Sequence, residues 1–324
     1  MPTNNNRWNI LFVRHAPSCG NMVQYSNALF KQIRFQAKNP PLSDLAPASI
    51  DAAVHAQDDH GHTLRKALAR VNHAATSDML RALETSALLL PGQNIQVIPY
   101  ANEIPLSRVF VWAGLDPQCE SQGPSETQRA LEVLGHDTSQ IDWRMYRRVT
   151  QGRLPFADIN MFWQKVVLDQ WLNPESEFCL PIQDTPKAYT ILVVTHGRFL
   201  RHLIDKCENY DTFYDQEPYF QPPDCPPARL GRRVIQNTGV VAMSDMTAEI
   251  VQDVLDGKRL FPRAERLYDS SVIRVNGRCV DLQSATGHRS WVSRCQAKVR
   301  DMPWPTQDPT LDLSAESKSS LAEE

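Results

Sequence analysis

The sequence predicts an α/β protein, a three-layer α/β/α sandwich with a mostly parallel central sheet. Two observations carry this. Short apolar runs rich in Val and Ile read as buried strands at 9–13, 95–99, 189–195 and 240–243. Segments of helical length and pattern lie between them. Strand alternating with helix favours a parallel sheet covered on both faces.

The elements follow in order. The first run ends in Arg14 and His15. A short strand then ends near Ser77, and a helix over 78–90 puts Leu80, Leu83, Ala87 and Leu90 on one face. After the 95–99 strand come helices at 125–134, with Ser125 as N-cap, and at 162–172, where the apolar stripe is broad. The 189–195 strand opens directly into a helix at 199–204. Pro218, Pro222, Pro223, Pro226 and Pro227 make 217–227 an extended loop. Past residue 248 an acidic helix start and a strand at 271–275 are read. These parts are expected to form one domain over 1–300. The acidic, Ser-rich 301–324 tail is expected to be mobile, with Trp304 anchoring it between two prolines.

Composition bounds the function. The chain has 324 residues, 42% hydrophobic and 22% charged, which excludes a disordered or fibrous protein. With 34 basic and 37 acidic residues the net charge is −3, so no broad cationic field serves nucleic acid or membrane. The polar start, residues 1–7, predicts no secretory leader, and no apolar run reaches the ~18 residues that cross a bilayer. The seven cysteines are odd in number, widely spaced and without a CxxC. They read as reduced thiols in a cytoplasmic protein, without a disulfide framework or a zinc site.

Three segments carry chemistry. The first is Val13-Arg14-His15-Ala16-Pro17-Ser18-Cys19-Gly20-Asn21, a histidine at the carboxyl end of a buried strand, where open α/β sheets bind ligands. Arg14 offers a planar fork of donors suited to phosphate. The second is Ser77-Asp78-Met79-Leu80-Arg81-Ala82-Leu83-Glu84-Thr85, with Arg81 in the first turn of a helix, a place that attracts anions. The third is Val194-Thr195-His196-Gly197-Arg198, which repeats the layout of the first. Each alone is a weak signal; two histidines at two strand ends can share one pocket.

In their order and spacing these segments resemble the histidine phosphatase superfamily, the phosphoglycerate mutase-like proteins. Arg14-His15, with Asn21 six residues on, is similar to the family's opening motif. Ser77, Arg81, Ala82 and Thr85 match its Ser-x-x-x-Arg-Ala-x-x-Thr-Ala stretch, with Ser86 in the last place, and Thr195-His196-Gly197 matches its later Ser/Thr-His-Gly. The resemblance covers a motif core at about 8–245 of one catalytic domain. Asn237-Thr238-Gly239 resembles the family's Asn-bearing segment. Two positions depart: Ala16 stands for the usual glycine and Pro17 for a common acidic residue.

The resemblance implies a metal-independent phosphatase. His15 would be the nucleophile that forms a phosphohistidine. Arg14, Arg81, His196 and Asn21, with Gly197 at the turn, would surround the phosphoryl group. Glu103, in the loop after the 95–99 strand, would be the general acid and base. Glu120 and Glu126 are the runners-up for that role. Arg108, Arg147, Arg148, Arg153 and Arg198 could overhang the pocket, though Arg147-Arg148 reads better as a solvated helix face. His55, His60 and His62, with Asp58 and Asp59, fit no metal-ligand spacing and read as a polar surface loop. No metal and no cofactor is expected. The partner is a small phosphorylated substrate or a phosphoprotein; nucleic acid and membrane are not. The alternatives are a mutase that returns the phosphoryl group to a second hydroxyl, and a phosphate-binding scaffold without turnover.

Overall fold

The computed structural model describes residues 7–24, 39–105, 119, 121–182, 188–222, 225, 234–282, 294–295, 297–299 and 302. Its sheet is built from β1 (Trp8–Arg14), β2 (His73–Ser77), β3 (Ile95–Ile98), β4 (Ile141–Asp142), β5 (Tyr189–Thr195), β6 (Val240–Met246) and β7 (Ala264–Tyr268). The order across it is β4-β3-β2-β5-β1-β6-β7. The first five run parallel, and β6 is antiparallel to both β1 and β7. The mostly parallel α/β architecture is as the sequence predicts.

Alternation along the central strands explains the two covered faces. Ile10 and Phe12 of β1, with Ile191 and Val193 of β5, pack with Phe162, Trp163, Phe199 and Leu200. Leu11 and Val13, with Leu192 and Val194, pack on the other side with Ile50, Ala53, Leu64 and Ala82. A period of two therefore buries both faces of a strand that has helices above and below, and only Asn9 of β1 and Thr190 of β5 are partly exposed. One face is covered by α2 (Ala46–Val54), α3 (Leu64–Leu68) and α4 (Leu80–Leu89), and α1 (Cys19–Gln24) opens after the loop that follows β1. The chain also carries α5 (Pro124–Val133), α6 (Arg144–Thr150), the short α7 (Ile159–Met161), α8 (Gly197–Ile204) and α9 (Ala248–Leu255). A hairpin of β8 (Val272–Val275) and β9 (Arg278–Asp281) forms a second, two-stranded sheet.

Three expectations need correction. Ser125 does not cap α5: Pro124 already occupies the first turn, which suits its fixed φ and missing N–H, and the cap falls to Gly123. The segment from 162 is a π-helix, Phe162–Trp171, continuing from α7. Phe162, Trp163, Val166, Val167 and Trp171 are buried along it, which accounts for the broad stripe. Cys225 and Cys279 form a disulfide, against the reading of all thiols as reduced. Their Cα atoms lie 5.8 Å apart, a distance a bridge requires, and only folding brings β9 to the proline-rich segment. Cys19, Cys119, Cys179, Cys207 and Cys295 are not disulfide-bonded.

The rest of the proline-rich segment is extended where it is described, pairing through Phe220 with Tyr268 and through Gln221 with Gln57. Pro223, Pro226 and Pro227, and the tail with Trp304, lie outside the described residues, save Met302. Among the described residues no helix is long and apolar enough to cross a membrane.

Candidate active site

Strand register brings the two histidines together. β1 and β5 pair in parallel with Arg14 opposite Thr195, so the next residue of each strand leaves the sheet at the same edge. The His15 N–H donates to the Thr195 carbonyl at 2.9 Å, and the rings of His15 and His196 lie 5.0 Å apart by centroid. Both side chains are buried. A carboxyl edge in the middle of an open α/β sheet is the usual ligand crevice.

The neighbouring strand fixes His196. Ser77, the last residue of β2, has its Oγ 2.7 Å from His196 Nε2. That Oγ also accepts the Met79 N–H at 3.4 Å. His196 Nδ1 is buried and without a hydrogen-bond partner among the described residues, and it carries the imidazole proton when the Ser77 hydroxyl donates to Nε2.

Helix α4 fixes Arg81. Its first residue, Leu80, has no side-chain cap from its own segment; Asn39 Oδ1 accepts the Leu80 N–H at 2.8 Å instead. Arg81 follows in the first turn, buried, and its Nε donates to His15 Nε2 at 3.2 Å. One turn on, Thr85 Oγ1 accepts the Ala16 N–H at 2.9 Å and donates to the Arg81 carbonyl at 2.6 Å. The loop after His15 is thus tied to the helix that carries Arg81.

This loop also accommodates the two departures from the family pattern. Neither Ala16 nor Pro17 has a positive φ, so glycine is not required at either place. The Pro17 carbonyl accepts both the Ser43 N–H and the Ser43 hydroxyl at 2.8 Å. Asn21 Oδ1 takes three donors: the Ser18 N–H, the Ser18 hydroxyl and Asn237 Nδ2. Asn237 Nδ2 also donates to the His15 carbonyl at 3.0 Å. With its oxygen so engaged, Asn21 can offer an anion only its Nδ2.

Arg14 lies buried beneath the pair. Its Nη1 donates to the Ile235 carbonyl, and its Nε has no partner among the described residues. A Cβ at Gly197 would stand 3.1 Å from the Arg14 Cζ, so the turn after His196 is closed against the guanidinium. At Gly239 a Cβ would meet Ile235 Cγ2 at 2.5 Å and the Gln236 carbonyl at 2.8 Å, which explains glycine in that tight return.

Glu103 completes the group. Its Oε1 accepts the Arg198 N–H in the first turn of α8 at 2.9 Å. Its Oε2 lies 3.9 Å from Arg81 Nη2 and 3.9 Å from His196 Nδ1. The Arg198 side chain is partly buried. Its Nη1 donates to the Ile104 carbonyl at 3.0 Å and braces the segment that bears Glu103.

The electrostatics favour neutral imidazoles and a bound anion. Burial, then Arg81, then Arg14 hold the His15 pKa well below 6.5, against a small opposing pull from the Ala16 carbonyl. His196 is lowered likewise by burial, Arg81, His15 and Arg14. The His15 Nδ1 stands 2.7 Å from the Ala16 carbonyl and donates to it, which puts the lone pair on Nε2. Donor atoms of His15, Glu103 and His196 lie within 4.8 Å of one another, a spacing that a metal ion could use. The Arg81 guanidinium, in contact with His15 and beside Glu103, opposes a cation there.

The other candidates lie apart from this cluster or outside the described residues. Arg108 and Glu120 lie outside them. Glu126 is exposed in the first turn of α5, and Arg147 and Arg148 are exposed at the end of α6. Arg153 lines a cavity of about 470 Å³ with Tyr100, Leu154 and Phe156. His55, His60 and His62 are exposed, and Asp58 accepts the N–H groups of His60 and His62 within its own loop. Asn39, Ser43 and Asn237 were not among the predicted site residues. Asn237 belongs to a segment with a motif; Asn39 and Ser43 carry no sequence signal, because they act through single bonds to distant backbone.

No family model and no curated protein matches the chain. Several solved structures are similar to it. A mycobacterial glucosyl-3-phosphoglycerate phosphatase is 14% identical over 81% of this chain and 99% of that one, with a TM-score of 0.36. The phosphoserine phosphatase of Entamoeba histolytica is 13% identical over 74% and 97%, at 0.32. An α-ribazole-5′-phosphate phosphatase from Escherichia coli, described as putative, is 16% identical over 74% and 91%, at 0.35. Likeness of this degree does not carry an activity from one chain to another, so the chemistry has to be argued from the residues.

Proposed function

We propose that the protein is a metal-independent phosphatase that hydrolyses a phosphomonoester through a phosphohistidine on His15, with Glu103 as general acid and base. One observation carries the reading. The Nε2 lone pair of a buried neutral imidazole faces Arg81, next to two buried nitrogens, His196 Nδ1 and Arg14 Nε, without partners among the described residues. Buried donors left unpaired cost about 1–3 kcal/mol each, and a phosphoryl group supplies the acceptor oxygens they lack. The same residues carry the resemblance to the histidine phosphatases.

In this reading Arg81, Arg14 and His196 donate to the equatorial oxygens, where charge is concentrated in the transition state. His15 Nε2 attacks phosphorus while the bond to the leaving oxygen breaks. Glu103 gives that oxygen its proton. Glu103 then takes a proton from water, the water oxygen attacks phosphorus, and the N–P bond breaks to release phosphate and restore His15.

Turnover of an aryl phosphate tests this. Activity should be unchanged by EDTA and fall by about 10³-fold or more in His15→Ala, the scale seen when a catalytic nucleophile is removed. Acid-labile, alkali-stable phosphoryl label should appear on His15 during turnover. Activity that survives the substitution removes His15 as nucleophile. Phosphate binding without turnover favours the scaffold alternative.

A further inference from the structure

We propose that Asp269, paired with Arg266, is a positioning residue that sets the Arg14 guanidinium through the peptide between Ile235 and Gln236; this rests on the phosphate contact proposed for Arg14. The two side chains take opposite ends of that one peptide. Arg14 Nη1 donates to the Ile235 carbonyl, and the Gln236 N–H donates to Asp269 Oδ1 at 2.6 Å. The peptide is trans and planar, so its carbonyl and N–H point to opposite sides. Asp269 therefore fixes the direction of the carbonyl that Arg14 uses. Were this peptide to turn over, Asp269 would lose a donor and Arg14 an acceptor. The carboxylate also polarises the amide, which strengthens its carbonyl as an acceptor.

The surrounding turn serves the site at further points. Asn237, the next residue, holds the His15 carbonyl and Asn21. The Thr238 N–H donates to the Arg14 carbonyl at 3.1 Å, and the Arg14 N–H donates to the Gly239 carbonyl at 2.9 Å. A shift of the 235–236 peptide would thus reach Arg14 through its backbone as well as its side chain.

Asp269 is placed by the sheet and by Arg266. Strands β6 and β7 pair with Tyr268 opposite Val240, so the next residue comes level with Gly239, and a Cβ at 239 would stand 3.2 Å from Asp269 Oδ1. Asp269 Oδ2 accepts from Arg266 Nε at 3.0 Å and lies 2.9 Å from its Nη2. Arg266 Nη1 donates to the Tyr214 and Gln216 carbonyls, at 3.1 and 2.8 Å. Both side chains of the pair are buried. Three donors on two oxygens suit an ionised carboxyl. Burial pushes the Asp269 pKa up, against the pull of Arg266, the Gln236 N–H and Arg14. Buried ion pairs add little to stability over apolar residues of the same volume, so stability alone does not account for this one.

Calorimetry with inorganic phosphate, on the full chain, reads the effect without turnover. Asp269→Asn keeps the shape and removes the charge. The phosphate Kd should rise by about 10-fold, the scale of one charged hydrogen bond, and KM for the aryl phosphate should rise with it. Loss of folded protein alone would lower kcat and leave both constants unchanged. In an Arg14→Gln background the same substitution should change Kd by under about 2-fold, because the group it positions is gone. Arg266→Gln together with Asp269→Asn leaves no uncompensated buried charge, so it gives the same readout if the single variant does not fold. An unchanged Kd in both variants, or an equal rise with and without Arg14, overturns the proposal. A wild-type chain that binds no phosphate overturns it together with the phosphate reading, whereas binding without turnover defeats the phosphatase reading alone.

Discussion

A nucleophilic imidazole must be neutral and correctly protonated, and each contact of His15 bears on one of these. The Ala16 carbonyl holds the proton on Nδ1, while burial and two arginines disfavour the cation. Glu103 is placed differently. A backbone N–H holds one oxygen, and the other lies between Arg81 and His196. If it protonates the leaving oxygen, Glu103→Gln matters most where that oxygen is a poor leaving group. The expected loss in kcat is about 10²–10³-fold for an alkyl phosphate and under about 10-fold for a nitrophenyl phosphate. Equal losses on the two substrates would take Glu103 out of proton transfer. These residues were legible because they stand at strand ends or in a spaced motif. Asn39 was not, since one side-chain oxygen capping Leu80 leaves no pattern in the chain.

At the level of elements, α4 is the part on which the site depends. It carries Arg81 on one turn and Thr85 on the next, and Thr85 grips the loop after His15. Thr85→Val keeps the shape and removes the acceptor for the Ala16 N–H. The expected cost is about 1–3 kcal/mol, read from the urea midpoint, together with a raised KM for the aryl phosphate. An unchanged KM would mean that the loop is held without Thr85. The sequence revealed α4 through its apolar spacing and β5 through its unbroken apolar run. It hid the π-helix, because buried residues at 162, 163, 166, 167 and 171 suit an α-helical reading equally well. It hid β7 for another reason: the buried Arg266 looks like a surface residue until it pairs with Asp269 at 2.9 Å.

For the whole molecule, the buried neutral histidines make stability depend on pH. His15, His196 and His73 all have depressed pKa values in the folded state, His73 at about 4, mainly from burial. The unfolded chain binds their protons near 6.5 and the folded chain does not, so their contribution is whole above 6.5 and declines as pH falls below it. Asp78 and Asp269, whose carboxyls burial pushes up, oppose the decline at the acid end. Tm should drop by roughly 5 °C between pH 7.5 and 5.5. A Tm that is flat across that range would mean that these imidazoles are not buried as neutral groups. No feature of the sequence announces this, because a histidine's pKa is set by what the fold packs around it.

The contact between residue 197 and the Arg14 guanidinium separates two kinds of tolerance. The atom that a new Cβ would crowd is the end of a long side chain, which can move by a few tenths of an ångström. An alanine at 197 is therefore compatible with a folded protein, but it displaces the charge that the proposed chemistry needs. At 239 the crowded atoms include backbone, and folding itself objects. The two glycines look alike in the sequence, yet selection would guard one for what the protein does and the other for its ability to exist at all.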